Sequence, residues 1–537
     1  MQSYNPVGIL QAMMQYPEKR LVRFFNTTGP CQPWDHYMLP PEERLIGAQL
    51  NRYIRDKLYW ALHAPRQTGK TTFLLNWMRQ INAGNEAVAN YVSVERCQGE
   101  ADLDRGIIGV CEAIIQWAGR NGLPKPEHNN ELPKSRMSAL LANLSELVAP
   151  KPLILLFDEV DVLEGDVLIS FLRQLRDGFA DRETGKFPVS IALVGMRDLK
   201  DYITQAKDGI PVNPGSPFNI KEDSAVISNF SRDNIQKLFA QRTEETGQNI
   251  TEEALEYVWD QSRGQPWIVN SLFKRATMRV LTEDDYQPVT LAHIIEAREQ
   301  MILARETHLD SLAYRLDNPG IRKIVESLIV GKTDPLMSDS DEFRLCLDLG
   351  LVTRDKGSMS VANPIYREIL ARQLTIGPQD AIPEPEWQWE KPDSTLDMDA
   401  LLQEFQVFWR RNSEVWEERM SYTEAFPHLL LMAFLQRVLN GGGRIEREYA
   451  AGRGRMDLMV EYHNAKNIIE IKLIHQHDTP DEVREEGIKQ ITRYRDKIDS
   501  AAPAYLVIFD RRQQAKEKPW SERISWNSEN GITVVNC

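Results

Sequence analysis

Four short, largely apolar runs punctuate the first half of the chain: Leu58–Leu62, Ala87–Val94, Pro152–Phe157 and Val189–Arg197, the third unbroken. Strands buried on both faces have this form. Between them the apolar residues fall at helical spacing, in Phe73–Met78, from about Asp102 to Gly119, and from Gly165 to Phe179. Strand and helix in alternation predict an α/β fold built on a parallel sheet. Ahead of the first run, Leu21–Phe25 reads as a short strand, Asn26-Thr27-Thr28-Gly29-Pro30 as a turn, and about Pro41 to Tyr53 as a helix; residues 120–135 read as an exposed, proline-containing loop.

The pattern changes three more times. From 227 to 300 it is helical, with Ile235, Leu238 and Phe239, then Ala254, Leu255, Tyr257 and Val258. From 310 to 375 short helices precede a hairpin of Leu349–Arg354 and Ser358–Ala362. Residues 376–398 are acidic and proline-rich, the composition of a semi-extended linker. Helix returns over 399–440 up to Gly441-Gly442-Gly443, and strands follow at Arg444–Tyr449, Met456–Tyr462, Asn467–Leu473 and, closing the sheet, Ala504–Phe509. The expected domains are 1–226, 227–304, 305–375, the linker 376–398, and 399–537.

Composition narrows the class. The 537 residues are 42% hydrophobic and 26% charged, enough for several cores. A net charge of −14 argues against a protein coated in basic surface, yet a local basic groove is enough to bind nucleic acid. Cys31, Cys97, Cys111, Cys346 and Cys537 lie far apart, which is neither a disulfide framework nor a zinc site. Met1–Pro6 has no basic and apolar leader, and runs such as Leu429–Phe434 are far shorter than the ~18 residues that span a bilayer. A cytoplasmic protein without a membrane partner is expected.

The first run leads into Ala64-Pro65-Arg66-Gln67-Thr68-Gly69-Lys70-Thr71-Thr72 and then a helix. That is the setting of a phosphate-binding loop, whose amides and helix N-terminus face a polyphosphate such as that of ATP. Lys70 would reach the β- and γ-phosphates, and the Thr71 hydroxyl would ligate Mg²⁺. Ala64 stands where G-x-x-x-x-G-K-[ST] has its first glycine, which the loop accepts if φ there is negative. The third run ends in Asp158-Glu159; Asp158 is expected to hold the Mg²⁺ shell and Glu159 to polarise the attacking water. Arg197 ends the fourth run and is a candidate γ-phosphate sensor. Arg176 or Arg182 is either a finger reaching into a neighbouring subunit or a solvated arginine. Within Ser262–Trp267, Pro266 opens a helix and would set its ring against the adenine.

A second chemical centre lies in the C-terminal strands. Glu470 and Lys472 are two apart on a strand and share a face, and a hairpin brings Asp457 beside them. Both charges sit inside Ile468-Ile469-Glu470-Ile471-Lys472-Leu473, where burial costs several kcal/mol unless they serve each other or a metal. Asp457 and Glu470 suit Mg²⁺ or Mn²⁺, with the Ile471 carbonyl completing the set and Glu448 adding a ligand through water. Lys472 would orient or deprotonate water or stabilise charge on a phosphate. Gln490 and Tyr494 share one helix face and can support the site. Gly452-Arg453-Gly454-Arg455 reads either as a phosphate contact or as a plain hairpin turn.

Gly29-Pro30, the Ala64–Thr72 loop, Asp158-Glu159, Gly195-Met196-Arg197-Asp198 and Gly264-Gln265-Pro266-Trp267 together resemble the bacterial AAA-like ATPases of the origin-recognition and STAND branch. Asp348–Val352 and Ala362–Tyr366 resemble the winged helix attached to those ATPases, the whole covering about 20–375; that segment is either a DNA-binding element or a protein–protein spacer. Residues from about 420 to 537 resemble the PD-(D/E)XK nuclease superfamily, with Met456-Asp457 for Pro-Asp and Glu470-Ile471-Lys472 for the D/E-x-K. Glu424 is the nearest candidate for the family's first-helix glutamate. The resemblance implies an AAA+-type ATPase with a helical lid and winged helix, fused to a metal-dependent DNA endonuclease. It also implies a homo-oligomer, possible protein partners, and work in defence against invading DNA, mobile elements or repair. The rival is an ATP-dependent switch that binds nucleic acid or a partner protein without cutting.

Overall fold

The computed structural model describes residues 22–126, 133–196, 221–282, 285–304, 307–329, 337, 339–355, 357–381, 389–393, 395–419, 426–439, 443–451, 454–463 and 465–537, for some of them, including 443–451 and 454–457, the backbone alone. Two compact units divide the chain: Met1–Glu306 with Arg344–Thr353 and Ala362–Ile365, and Thr307–Phe343 with Arg354–Val361 and Tyr366–Cys537. The expected block 305–375 is therefore shared between the units.

The first unit is built on a six-stranded sheet, β1 (Leu45–Ile46), β2 (Tyr59–His63), β3 (Val88–Ser93), β4 (Leu153–Asp158), β5 (Ser190–Gly195) and β6 (Lys221–Ile227), in the order β1-β6-β2-β5-β4-β3. All neighbours but β1 and β6 run parallel. Every residue of β4 and β5 is buried, as parallel strands covered on both faces require. Because side chains alternate along a strand, Leu155 and Phe157 join one core with Val110, Ile114 and Phe171, while Ile154 and Leu156 join another with Trp60, Phe73 and Trp77. Helices Leu103–Arg120, Pro133–Val148 and Gly165–Asp177 cover the first face, and Lys70–Gly84 covers the second.

Several local expectations are corrected. Of the strand at Leu21–Phe25 only an isolated bridge, Phe24 with His36, exists among the described residues. The helix expected over Pro41–Tyr53 is a 3₁₀ turn at Pro41–Arg44, strand β1 and a helix at Leu50–Arg55. The loop placed at 120–135 ends in a helix beginning at Pro133, with Met137, Leu140, Leu141 and Leu144 buried. After β6, capped helices follow: Ser231 and Asn234 form a capping box for Arg232–Thr246, Thr251 caps Glu252–Ser262, and Gln265 caps Pro266–Arg275, which has proline at its first turn.

A short hairpin, β7 (Val352–Asp355) and β8 (Ser358–Val361), falls where it was expected. The linker region begins helical, since Pro364–Ala381 is one helix. The second unit carries another six-stranded sheet: β9 (Gly443–Ala451), β10 (Gly454–Tyr462), β11 (Ala465–Ile474), β12 (Ala504–Asp510), β13 (Ser525–Glu529) and β14 (Ile532–Asn536). Its order is β13-β14-β12-β11-β10-β9. β9, β10 and β11 form an antiparallel meander; helix Pro480–Ile498 then crosses over so that β12 runs parallel to β11. Ile488, Ile491 and Tyr494 seal that helix onto Ile468, Leu506 and Ile508. β12 does not close the sheet as expected, because the β13–β14 hairpin extends it. Phe405, Trp409, Phe434 and Phe509 pack as one aromatic cluster, which draws the helices Met398–Arg419 and Phe426–Leu439 onto β12.

Candidate active sites

The loop after β2 turns through two positive-φ residues, Gln67 at 58° and Gly69 at 100°, before the helix Lys70–Gly84 starts. This curls the backbone around a concavity at the helix N-terminus, where N–H groups are left to an anion. The Lys70 ammonium donates to the carbonyls of Ala64 (2.6 Å) and Pro65 (2.9 Å), and Thr68 Oγ1 donates to Pro65 O at 2.9 Å. The loop is thus tied to itself by residues expected to contact phosphate. Burial lowers the Lys70 pKa, partly opposed by Asp158 and Asp161.

Asp158, 1% exposed, ends β4 directly beside that loop. Its Oδ2 accepts from Thr71 Oγ1 at 2.7 Å and from the Tyr91 hydroxyl at 3.1 Å, and its Oδ1 accepts from the Glu159 amide. Thr71 and Asp158, named from sequence as the magnesium pair, therefore converge. A hydroxyl and a carboxylate oxygen are the hard donors that Mg²⁺ prefers, and burial raises the Asp158 pKa, as for a carboxylate set where a cation would relieve it. The residues fit the metal.

Glu159 adopts the left-handed conformation (φ 62°), which takes its side chain away from the strand direction. Its Oε2 accepts from Ser93 Oγ at 2.7 Å, Ser93 being paired with Asp158 across β3 and β4. Burial raises the Glu159 pKa and the Ser93 hydroxyl opposes the rise. Asp161, whose pKa burial also raises, accepts from the Met196 backbone at the end of β5 and faces Lys70 and Arg66. Ser93, Tyr91 and Asp161 were not singled out from sequence. Ser93 and Tyr91 were legible only as strand residues, whereas Asp161 stands three positions after Asp158 and its acidity was a usable signal.

The candidate sensor Arg197 lies outside the described residues. Arg182 is turned onto its own chain: it donates to the carbonyls of Lys57 and Phe179 and lies 3.5 Å over the Phe179 ring. Arg176 lies exposed on Gly165–Asp177. Pro266 is buried at the start of its helix, and Gly264 before it is forced, since a Cβ there would lie 1.9 Å from the Phe230 carbonyl oxygen. The lead-in joins this region: Trp267 Nε1 donates to Thr27 O (3.0 Å), and the Cys31 amide donates to Thr72 Oγ1 (3.1 Å).

In the second unit, β11 places Glu470 and Lys472 on one face, and their charges meet at 3.1 Å. Helix Pro480–Ile498 lays Gln490 against them, its Oε1 accepting from Lys472 Nζ. Gly487 keeps the helix close, because a Cβ there would meet Leu506 at 2.6 Å and Lys472 Cγ at 3.3 Å. Glu470 is 3% exposed. Pairing of Leu458 with Arg447 and with Ile469, and of Met456 with Tyr449, sets backbone position 457 level with 448 and 470. The side chains of Asp457 and Glu448 lie outside the described residues, as do Glu424, Gly452 and Arg453. The oxygen donors Glu470 and the Ile471 carbonyl suit a hard divalent ion, in keeping with the β11 chemistry.

Comparison with known proteins places a family match on the stretch of chain that carries this second constellation. Residues 422–509 match the family profile of the PD-(D/E)XK nuclease superfamily, so a domain of that class occupies the C-terminal end of the chain. Among curated proteins nothing matches. Among solved structures, a Walker-type ATPase of Pyrococcus abyssi is similar at 14% identity and TM-score 0.45, over 64% of this chain and 99% of that one. The Thermotoga maritima RuvB Holliday junction branch migration motor is similar at 14% and 0.34 (59% and 90%), and Cdc6p of Pyrobaculum aerophilum at 13% and 0.35 (60% and 90%). Among the described residues no helix is long and apolar enough to cross a membrane.

Proposed function

We propose that the chain is an ATP hydrolase joined to a divalent-metal-dependent DNA endonuclease, with the nucleotide cycle controlling the cutting. Two independent constellations support the reading, and the carrying observation is the half-buried Lys472 held between Gln490 and the buried Glu470 on a domain of nuclease class. In the nucleotide site, Thr71 and Asp158 would hold Mg²⁺, and Lys70 would leave its loop carbonyls for the β- and γ-phosphates. Glu159 accepts a proton from, or orients, the water that attacks, while Pro266 and the turn at Thr27–Cys31 enclose the base. In the nuclease site, Asp457, Glu470 and the Ile471 carbonyl would hold Mg²⁺ or Mn²⁺, which supplies charge neutralisation at the scissile phosphate. Lys472 orients the water and donates to the phosphate oxygens, and Gln490 fixes the Lys472 ammonium.

The finer reading has a winged helix over 305–375, a homo-oligomer in which Arg176 or Arg182 completes the neighbour's site, and a role in defence against foreign DNA, mobile elements or repair. Incubating the purified chain with Mg²⁺, ATP and plasmid or linear DNA tests the core of it. Cleavage that disappears in Asp457→Ala and Lys472→Ala, with ATP hydrolysis intact, is expected. DNA binding without cleavage under every metal and nucleotide would overturn it in favour of a non-cutting switch.

A further inference from the structure

Arg44 has no part in the sequence motifs, yet it is 6% exposed and its guanidinium lies against the phosphate loop. Nη2 donates to the Thr68 carbonyl at 2.8 Å, and Nη1 donates to the Ser228 carbonyl at 2.9 Å. The guanidinium carbon stands 4.8 Å from the Phe230 ring centroid. Ser228 returns the contact twice, through its amide (2.9 Å) and its hydroxyl (3.0 Å), both donating to Arg44 O. Ser228 to Phe230 is the three-residue hinge between β6 and the first lid helix, capped at Ser231. Phe230 in turn donates its amide to Gly264 O at 2.8 Å, two residues before Pro266. One buried cation therefore touches the phosphate loop and the base of the lid.

The Thr68 carbonyl and the Gly69 N–H belong to the same trans peptide, and in such a unit they point in opposite directions. Fixing the carbonyl on Arg44 turns the Gly69 N–H the other way, toward the concave side of the loop. Gly69 itself leaves room for the arrangement: a Cβ there would stand 2.8 Å from Arg44 Nη2. Burying a guanidinium is costly without partners. Two carbonyls and an aromatic face supply them here.

Resting on the ATP reading above, we infer that Arg44 is a positioning residue of the nucleotide site. It presents the Gly69 amide to the bound polyphosphate and ties the phosphate loop to the lid hinge. Its action is on phosphate, not on the base, and a loop released from Arg44 is also a lid released at Ser228. Lysine cannot replace it, because one ammonium does not span both carbonyls in the planar fork that arginine provides.

The test uses the full chain, a fluorescent ATP analogue, and unlabelled ATP and tripolyphosphate as competitors, with Arg44→Met, Arg44→Lys and the milder Phe230→Leu. Wild type that binds neither ATP nor tripolyphosphate overturns the ATP reading and this inference with it. With wild type binding, Arg44→Met is expected to lose about tenfold or more in affinity, the scale of a hydrogen bond to a charged group, and by the same factor for ATP and tripolyphosphate. Arg44→Lys should not recover it, and hydrogen exchange should rise at residues 228–231. Wild-type affinity in Arg44→Met overturns the inference, as does a loss confined to ATP. Should Arg44→Met fail to fold, Phe230→Leu is read by the same comparison: a smaller loss shared by both competitors supports the inference, and none overturns it.

Discussion

Replacing Lys472 by methionine tests the nuclease site through stability as well as activity. The lysine neutralises Glu470 at 3.1 Å, with side chains 20% and 4% exposed. Removing one partner of a fully buried ion pair costs about 3–5 kcal/mol. Lys472 is partly solvated and Glu470 keeps other contacts, so the cost here falls to about 1–3 kcal/mol. In a unit of this size that lowers the melting temperature by roughly 3–10 °C. The second arm is the cycle: Glu470→Gln removes the orphaned charge, so the double variant should melt above Lys472→Met alone. Mg²⁺ should stabilise Lys472→Met more than wild type, because a cation returns to Glu470. Differential scanning fluorimetry with and without Mg²⁺ reads all four proteins, and a plasmid assay should find Lys472→Met inactive. A melting temperature within about 1 °C of wild type, or a double variant below the single one, would refute the buried-pair reasoning.

Three more outcomes follow from the nucleotide site. Lys70→Ala should abolish ATP hydrolysis, while Glu159→Gln keeps ATP binding and loses turnover; a normal rate in Glu159→Gln sinks the assignment of that carboxylate. Ser93→Ala removes the hydroxyl that opposes the raised Glu159 pKa, so the acid limb of the ATPase pH profile should move to higher pH, and an unmoved limb contradicts a base at Glu159. Burial raises the pKa of Asp158, Glu159 and Asp161, so between the ordinary carboxylate range and the raised values the folded chain holds more protons than the unfolded one. Their contribution to stability without nucleotide or metal therefore falls as pH rises through that window. Chemical denaturation across the window should show a shallower fall in Asp158→Asn, and equal slopes would count against it.

Where local spacing carries the chemistry, the sequence was readable. The phosphate loop, the acids ending β4 and the Glu470-Ile471-Lys472 triplet each declare strand, face and charge within a few residues, and Gln490 follows from helix periodicity. β6 was missed because Lys221-Glu222-Asp223-Ser224 hides a core strand under polar residues. The terminal hairpin had its signal in Asn530-Gly531, whose positive φ values of 54° and 71° are those a tight hairpin turn demands. The helix Pro133–Val148 also showed its apolar spacing, obscured by the polar stretch before it. Arg44 had no signal at all. In Pro41-Glu42-Glu43-Arg44 it reads as a solvated charge, and only the return of β6 at Ser228 buries it.

The two sites put a lysine beside a buried carboxylate, but they use it differently. In the phosphate site the oxygens proposed for the metal, from Thr71 and Asp158, are separate from the Lys70 ammonium, which is held by loop carbonyls. Nucleotide can therefore draw Lys70 away without disturbing the metal pair. In the nuclease site Lys472 is bound to Glu470, one of the oxygens proposed for the metal. Metal and ammonium there compete for one carboxylate, and like charges so close repel by an amount that grows as water is excluded. A DNA phosphate resolves the conflict by giving the ammonium another anion, with Gln490 still holding it. Metal and DNA binding are then coupled, each tightening the other by the same factor. Titrating Mn²⁺ into the protein with and without a DNA duplex measures that factor. Equal Mn²⁺ affinities would mean that Lys472 does not contest the metal oxygen.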